Sequence, residues 1–215
     1  MLDNKVSIAI PTGVLLDGSR ELLARSRLAS ISAGELGRQL LVDGEEVRVI
    51  LVRPADVPAY VDHGAADLGI VGKDILWETP GNHYELVDLR FGGCRLVLAV
   101  PSESGLDGPQ TWPPLIRVAT KYPRTAAAWF ESRGQAVEVV QLHGSVELAP
   151  LVGLVDGIVD ITATGRTLRE NGLRVAAVLG ASTARLIANQ ASLKTRTAAV
   201  QSIVSRLREA TGRAG

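Results

Sequence analysis

The chain has little that would cross-link it, anchor it or attract a polyanion. It holds one cysteine, Cys94, in 215 residues. No intrachain disulfide is therefore possible, which fits a reducing compartment. Aromatic residues make up only 4% of the sequence, so a hydrophobic share of 46% rests mainly on Val, Ile, Leu and Ala. That mixture suits parallel strands covered by helices. Neither charge is in excess: Lys and Arg number 23, as do Asp and Glu. A near-zero net charge supplies no basic field for nucleic acid, and no polybasic segment suits a membrane surface. No apolar stretch is long enough to span a bilayer. The opening MLDNKVSIAIPTG has too short an apolar run, with acidic Asp3 ahead of it, to read as an export signal. The expectation is a soluble, cytoplasmic protein. His63, His83 and His143 are scattered and lack metal-ligand spacing, so no metal held directly by the protein is expected.

The length suits a two-lobed α/β unit. Short apolar runs at 6–10, 47–52 and 66–71 read as strands, separated by helix-like stretches. They end at polar loops: Thr12-Gly13, Arg53 to Asp56, and Gly72 to Asp74. Strand alternating with helix predicts a parallel sheet, with ligands beyond the carboxyl ends of its strands. Residues 95–100 form another strand, followed by a loop over 101–114 rich in Ser, Gly, Pro and Asp. A second α/β run follows, with strands near 116–119, 137–141 and 158–161. The tail, 194–210, is an amphipathic helix expected to pack back on the first lobe. The lobes are placed at 1–97 with 181–215, and at 98–180.

The richest chemistry lies in DGIVDITATGRTL, Asp156 to Leu168. Thr162, Ala163, Thr164, Gly165, Arg166 and Thr167 bring hydroxyls, a glycine and free backbone N–H groups to a helix start, which suits a phosphate. Gly165 lets the backbone approach a ligand closely. Asp156 and Asp160 are candidate acceptors for sugar hydroxyls, and the whole describes a phosphoribosyl pocket. An ordinary strand, turn and Thr-rich helix cap has the same composition. Glu147 either holds a ribose hydroxyl or serves the first turn of a helix.

The run GSVELAPLVGLVDGIVDITATGRTLRENGL, Gly144 to Leu173, resembles the signature of ATP phosphoribosyltransferases over its whole length. VRPADVPAYVDHGAADLGIVGKDIL (52–76), CRLVLAVP (94–101) and RVATKYPR (117–124) also resemble that family. The resemblance implies a two-lobed fold like the type II periplasmic binding proteins, with mostly parallel sheets and an active site in a central cleft. It implies attack of adenine N1 of ATP on C1 of phosphoribosyl pyrophosphate, with Mg2+ bound to the substrate rather than to the protein. A chain stopping at Gly215 resembles the short form, a homodimer that works with a regulatory subunit related to histidyl-tRNA synthetase. Negative charge grows on the departing pyrophosphate, so cations and N–H donors are the expected catalytic groups. Arg53, Lys73 and Arg95 are the candidates for that work. Gly13, Arg53, Lys73 and Lys121 are the candidates for holding ATP or pyrophosphate.

The first loop departs from the family. Where the family reads Pro-Lys-Gly-Arg, this chain has Pro11-Thr12-Gly13-Val14. In the family those two cations sit near the substrate phosphates. Their replacement keeps a second reading open, a non-catalytic two-lobed nucleotide or solute binder. A third is a phosphoribosyltransferase acting on a free base, against which the long Gly144 to Leu173 match stands.

Overall fold

The computed structural model of the chain describes residues 5–31 and 40–212. In chain order the elements are β1 (Val6–Pro11), α1 (Leu16–Arg25), β2 (Leu41–Asp43), β3 (Val47–Val52), α2 (Val57–Asp62), β4 (Leu68–Gly72), α3 (Lys73–Glu78) and β5 (Tyr84–Asp88). There follow β6 (Cys94–Pro101), β7 (Leu115–Thr120), α4 (Pro123–Glu131), β8 (Ala136–Gln141), α5 (Leu148–Leu151), β9 (Gly157–Thr162) and α6 (Arg166–Glu170). The last are β10 (Leu173–Ser182), β11 (Ala184–Ala188), α7 (Gln190–Thr195) and α8 (Thr197–Gly212). No helix among the described residues is long and apolar enough to cross a membrane.

The chain divides into two compact units. One runs up to Gly92 and resumes at Thr183; the other is Gly93–Ser182. β6 lies whole within the second unit, whereas a division at 97/98 would cut it. The segment's two ends are neighbours, because Ser182 at the end of β10 pairs with Cys94 at the start of β6.

The first unit is built on a six-stranded sheet ordered β2-β3-β1-β4-β11-β5. Its centre is parallel, β1 pairing with β3 and β4. β11, β5 and β2 join antiparallel. The second unit has five strands ordered β10-β6-β9-β7-β8, parallel at β7–β8 and β7–β9 and antiparallel elsewhere. The α/β architecture is as expected, but the sheets are mixed: antiparallel strands extend a parallel core. Gly72 to Asp74 is likewise not a loop, because β4 ends at Gly72 and α3 starts at Lys73.

β1 shows how the pattern builds the core. Its side chains alternate between faces. Val6, Ile8 and Ile10 enter one cluster with Leu22 and Leu23 of α1 and with Val200, Ile203 and Leu207 of α8. Ala9 faces another, with Val57 and Val61 of α2. Helices thus cover the strand on both sides, and the tail helix does pack on the first unit. Between β6, β7 and β9 the second core holds Val97, Ala99, Ala119 and Ile158. Trp112, Trp129 and Phe130 pack together, with ring centroids 4.9–6.1 Å apart.

A buried carboxylate ties the first unit together. Asp67, 7% exposed, accepts hydrogen bonds from the Ser7 amide (2.8 Å) and hydroxyl (2.9 Å), from the Ser192 hydroxyl (2.7 Å) and from Arg196 Nη1 (2.6 Å). Burial opposes its ionisation. The hydrogen bonds from Ser192 and Ser7 and the charge of Arg196 outweigh burial and hold the carboxyl below its usual range.

Candidate functional site

Strand polarity decides which residues of the second unit meet. β9 and β7 are parallel, so the loop after Thr162 and the turn after Thr120 lie at the same sheet edge. β6 runs the other way, which brings its start to that edge. Arg95 is the register partner of Thr162, and directly opposed residues on antiparallel strands have Cβ atoms about 5 Å apart. Arg95 and Lys121 are both exposed, and neither forms an ion pair among the described residues. Thr120, fully buried, closes the end of β7 by donating to the Val159 carbonyl (2.6 Å) and accepting from the Tyr122 amide (2.9 Å).

Beyond this edge lies a cavity of about 330 Å3 whose walls include Glu147, Asp160, Thr162, Ala163, Thr164, Arg166 and Thr167. The structure therefore gathers most of the predicted phosphoribosyl residues in one place. Arg95 and Lys121 stand beside this cavity rather than in its wall. Asp156 is placed elsewhere. It precedes β9 and so sits at the opposite end of the strand, roughly 20 Å of extended chain from Thr162. There it accepts from the Arg117 amide (2.7 Å) and pairs with the Arg117 guanidinium (3.6 Å), joining β7 to β9.

The loop is held in shape by its own threonines. The Gly165 amide donates to Thr162 Oγ1 (2.9 Å) and the Arg166 amide to Thr164 Oγ1 (3.3 Å). Each hydroxyl that accepts from an amide keeps its own proton to donate. These are directed donors, which an anion can use. Gly165 has φ 73°, in the left-handed region that favours glycine. The helix that follows, α6, is only five residues long, so the donors come from the loop rather than from a long helix dipole. Arg166 is drawn aside into an ion pair with Glu170 (2.7 Å). Asp160 accepts from the Ile161 amide (2.8 Å). Sequence reasoning passed over Arg169, whose Nη1 donates to the Thr164 carbonyl (3.1 Å). The available signal was its place one helical turn after Gly165.

In the first unit the predicted residues also collect at the carboxyl ends of the parallel strands. The Thr12 amide bonds the Val52 carbonyl (2.9 Å), so the ends of β1 and β3 are adjacent. Arg53 follows β3; it is exposed, and its guanidinium makes no ion pair among the described residues. Gly13 has φ 79°, with open space where a Cβ would stand. Val14 is 93% exposed. Lys73, by contrast, is not a free cation: it pairs with Glu85. Glu85 also meets Arg185 (3.6 Å), which reaches Asp88 (3.1 Å). Burial works against the charge of Asp88, but the Arg90 amide, the Thr183 hydroxyl and the nearby guanidinium groups prevail and lower its pKa. Arg185 is a second residue the sequence reading missed. It lies on β11, a strand that reading did not assign.

Comparison with known proteins gives a consistent result. A family model described as ATP phosphoribosyltransferase matches residues 53–209. The ATP phosphoribosyltransferase of Rubrobacter xylanophilus is 48% identical over 200 residues, covering 92% of this chain and 93% of that protein. That of Moorella thermoacetica is 45% identical over 221 residues, covering 100% and 97%. Among solved structures, the ATP phosphoribosyl transferase (HisG:HisZ) complex from Thermotoga maritima matches with TM-score 0.82 and 33% identity, over 96% of this chain and 98% of that one. The alkanesulfonate-binding protein SsuA from Xanthomonas axonopodis matches with TM-score 0.58 at 15% identity, over 97% of this chain and 73% of that one. This second likeness is one of fold alone. The shared sequence lies with the enzymes: 48% identity to the Rubrobacter xylanophilus protein against 15% to this solute binder.

Proposed function

This chain belongs to the ATP phosphoribosyltransferase family, and from that premise we propose how its residues carry the reaction. It condenses ATP with phosphoribosyl pyrophosphate to N1-(5-phosphoribosyl)-ATP and pyrophosphate, the first step of histidine biosynthesis. The adenine N1 lone pair forms the bond to C1 of the ribose, and the bond from C1 to the pyrophosphate oxygen breaks with its electron pair. Adenine N1 needs no strong base to attack. The catalytic burden is charge stabilisation on the leaving group and orientation of the two reactants.

The 5-phosphate of phosphoribosyl pyrophosphate binds the Thr162 to Thr167 loop, and Glu147 and Asp160 accept from ribose hydroxyls. The cavity walled by these residues, with Arg95 in register opposite Thr162, is the observation that carries this assignment. In the second unit Arg95, exposed and in no ion pair among the described residues, is the cation for the pyrophosphate charge, and Lys121 is a candidate contact to a phosphate. In the first unit Arg53, likewise exposed and in no ion pair among the described residues, and Gly13 are the candidates for ATP or pyrophosphate phosphates. Lys73 serves once Glu85 releases or shares it. Mg2+ bound to the pyrophosphate as part of the substrate would supply charge neutralisation there. The protein works in the cytoplasm, as a homodimer joined to a regulatory subunit related to histidyl-tRNA synthetase. Support for the hetero-oligomer is the two-component name of the Thermotoga maritima complex.

The test is pyrophosphate release with ATP, phosphoribosyl pyrophosphate and Mg2+, with and without that subunit. Arg95→Ala and Thr164→Ala each remove a contact to a charged oxygen and are expected to lower kcat/KM about ten- to a hundredfold. Wild-type turnover left intact by both variants would overturn the assignment.

A further inference from the structure

Resting on the phosphate-loop reading above, we propose that Arg169 is a positioning residue that sets which way the Thr164–Gly165 peptide faces. Its Nη1 donates to the Thr164 carbonyl at 3.1 Å. It lies close over Gly165 as it does so: a Cβ on Gly165 would stand 3.1 Å from Nη1. The C=O and N–H of one planar trans peptide point in opposite directions. Holding the Thr164 oxygen toward Arg169 therefore turns the Gly165 N–H the other way, onto Thr162 Oγ1 at 2.9 Å. The Thr162 hydroxyl, its oxygen already accepting, keeps its proton for a ligand oxygen.

The brace is needed because this peptide is easily turned. Glycine follows it, and glycine tolerates both signs of φ at little cost. A flipped peptide would set a carbonyl oxygen against an anionic phosphate and withdraw the Gly165 N–H from Thr162. Arg169 opposes that flip with a charge-assisted bond, which is stronger than a neutral one. The neighbouring Arg166 does not compete, because Glu170 holds it. Gly165 thus meets two requirements: a left-handed φ of 73°, and room for the guanidinium.

Three variants of the full chain test this: Arg169→Ala, Arg169→Lys and, for the loop itself, Thr164→Ala. Steady-state kinetics would be paired with amide hydrogen exchange on the unliganded protein. Arg169→Ala is expected to raise KM for phosphoribosyl pyrophosphate about three- to tenfold, because the loop donors stay in place and only their orientation is loosened, the worth of about one neutral hydrogen bond. KM for ATP should hold, and exchange should quicken at residues 162–167 alone. Arg169→Lys should recover most of both effects. A raised KM with unchanged loop exchange would mean that the guanidinium touches substrate itself, and the brace falls. An unchanged KM, or a rise in both KM values with faster exchange throughout 93–182, would also overturn it. Thr164→Ala separates the two claims. If it leaves KM for phosphoribosyl pyrophosphate alone, the loop reading fails. If it raises that KM while Arg169→Ala does not, only the brace fails.

Discussion

At the scale of the residue, Thr12 and Val14 are the departures from the family that matter most. Positions that hold cations elsewhere in the family carry a hydroxyl and an isopropyl group here. Val14 is 93% exposed, so the core gains nothing from it, and a long charged side chain would fit without repacking. Gly13 between them keeps φ 79° in open space, so the turn itself need not change. Val14→Arg is expected to leave stability within about 0.5 kcal/mol. It should raise kcat by about ten- to a hundredfold, since one charge-assisted contact to a departing phosphate is worth roughly 1.5–3 kcal/mol. Pyrophosphate release at two salt concentrations measures this, and the gain should shrink as salt rises. A rate that stays at the wild-type value would show that the cations already present suffice.

At the scale of the element, Asp67 joins parts of the first unit far apart in sequence. Its carboxylate binds the start of β1 through Ser7, and α7 and the chain before α8 through Ser192 and Arg196. Arg196 also donates to the Lys5 carbonyl (2.7 Å). Asp67→Ala would take one acceptor from each of Arg196 and Ser192 and the countercharge from Arg196, and is expected to cost about 3 kcal/mol in a urea titration. The same group gives a pH dependence. Its folded pKa lies below the ordinary 3.8, so the unfolded chain takes up the proton first. The stabilisation is whole above about pH 5 and fades as pH falls through the folded value. Urea midpoints of wild type and Asp67→Asn should therefore converge as pH falls below about 4; parallel curves would refute the linkage. What the sequence made legible at this scale follows from how local the signal is. The Thr162 to Thr167 loop, continuous in sequence, could be found without the fold. So could strands such as β1 and β3, whose apolar runs end at polar loops. Asp156 was misplaced because residue spacing does not tell which end of a strand faces a loop. β10 and β11 escaped because their antiparallel pairing is set by distant partners. β10 also carries Ala and Gly in place of a clean alternation, with register shifts at 175/177 and 178/180.

At the scale of the whole molecule, the second unit is one uninterrupted stretch, Gly93–Ser182, set into a first unit made of two. Its ends pair as Cys94 with Ser182, register partners about 5 Å apart at Cα. Removing the stretch would therefore cut no internal strand. It owns a core, with Val97, Ile158 and Leu173 nearly or fully buried, and near ninety residues is enough for a small domain. The loop donors and Arg169 travel with it, as do Arg95 and Lys121, while Arg53 and Lys73 do not. The isolated segment 93–182 is expected to melt cooperatively and to give shifted amide resonances at 162–167 on adding phosphoribosyl pyrophosphate. Resonances that shift only in the full chain would mean that the segment does not hold the phosphate by itself, and the assignment of the phosphate to the 162–167 loop would fail.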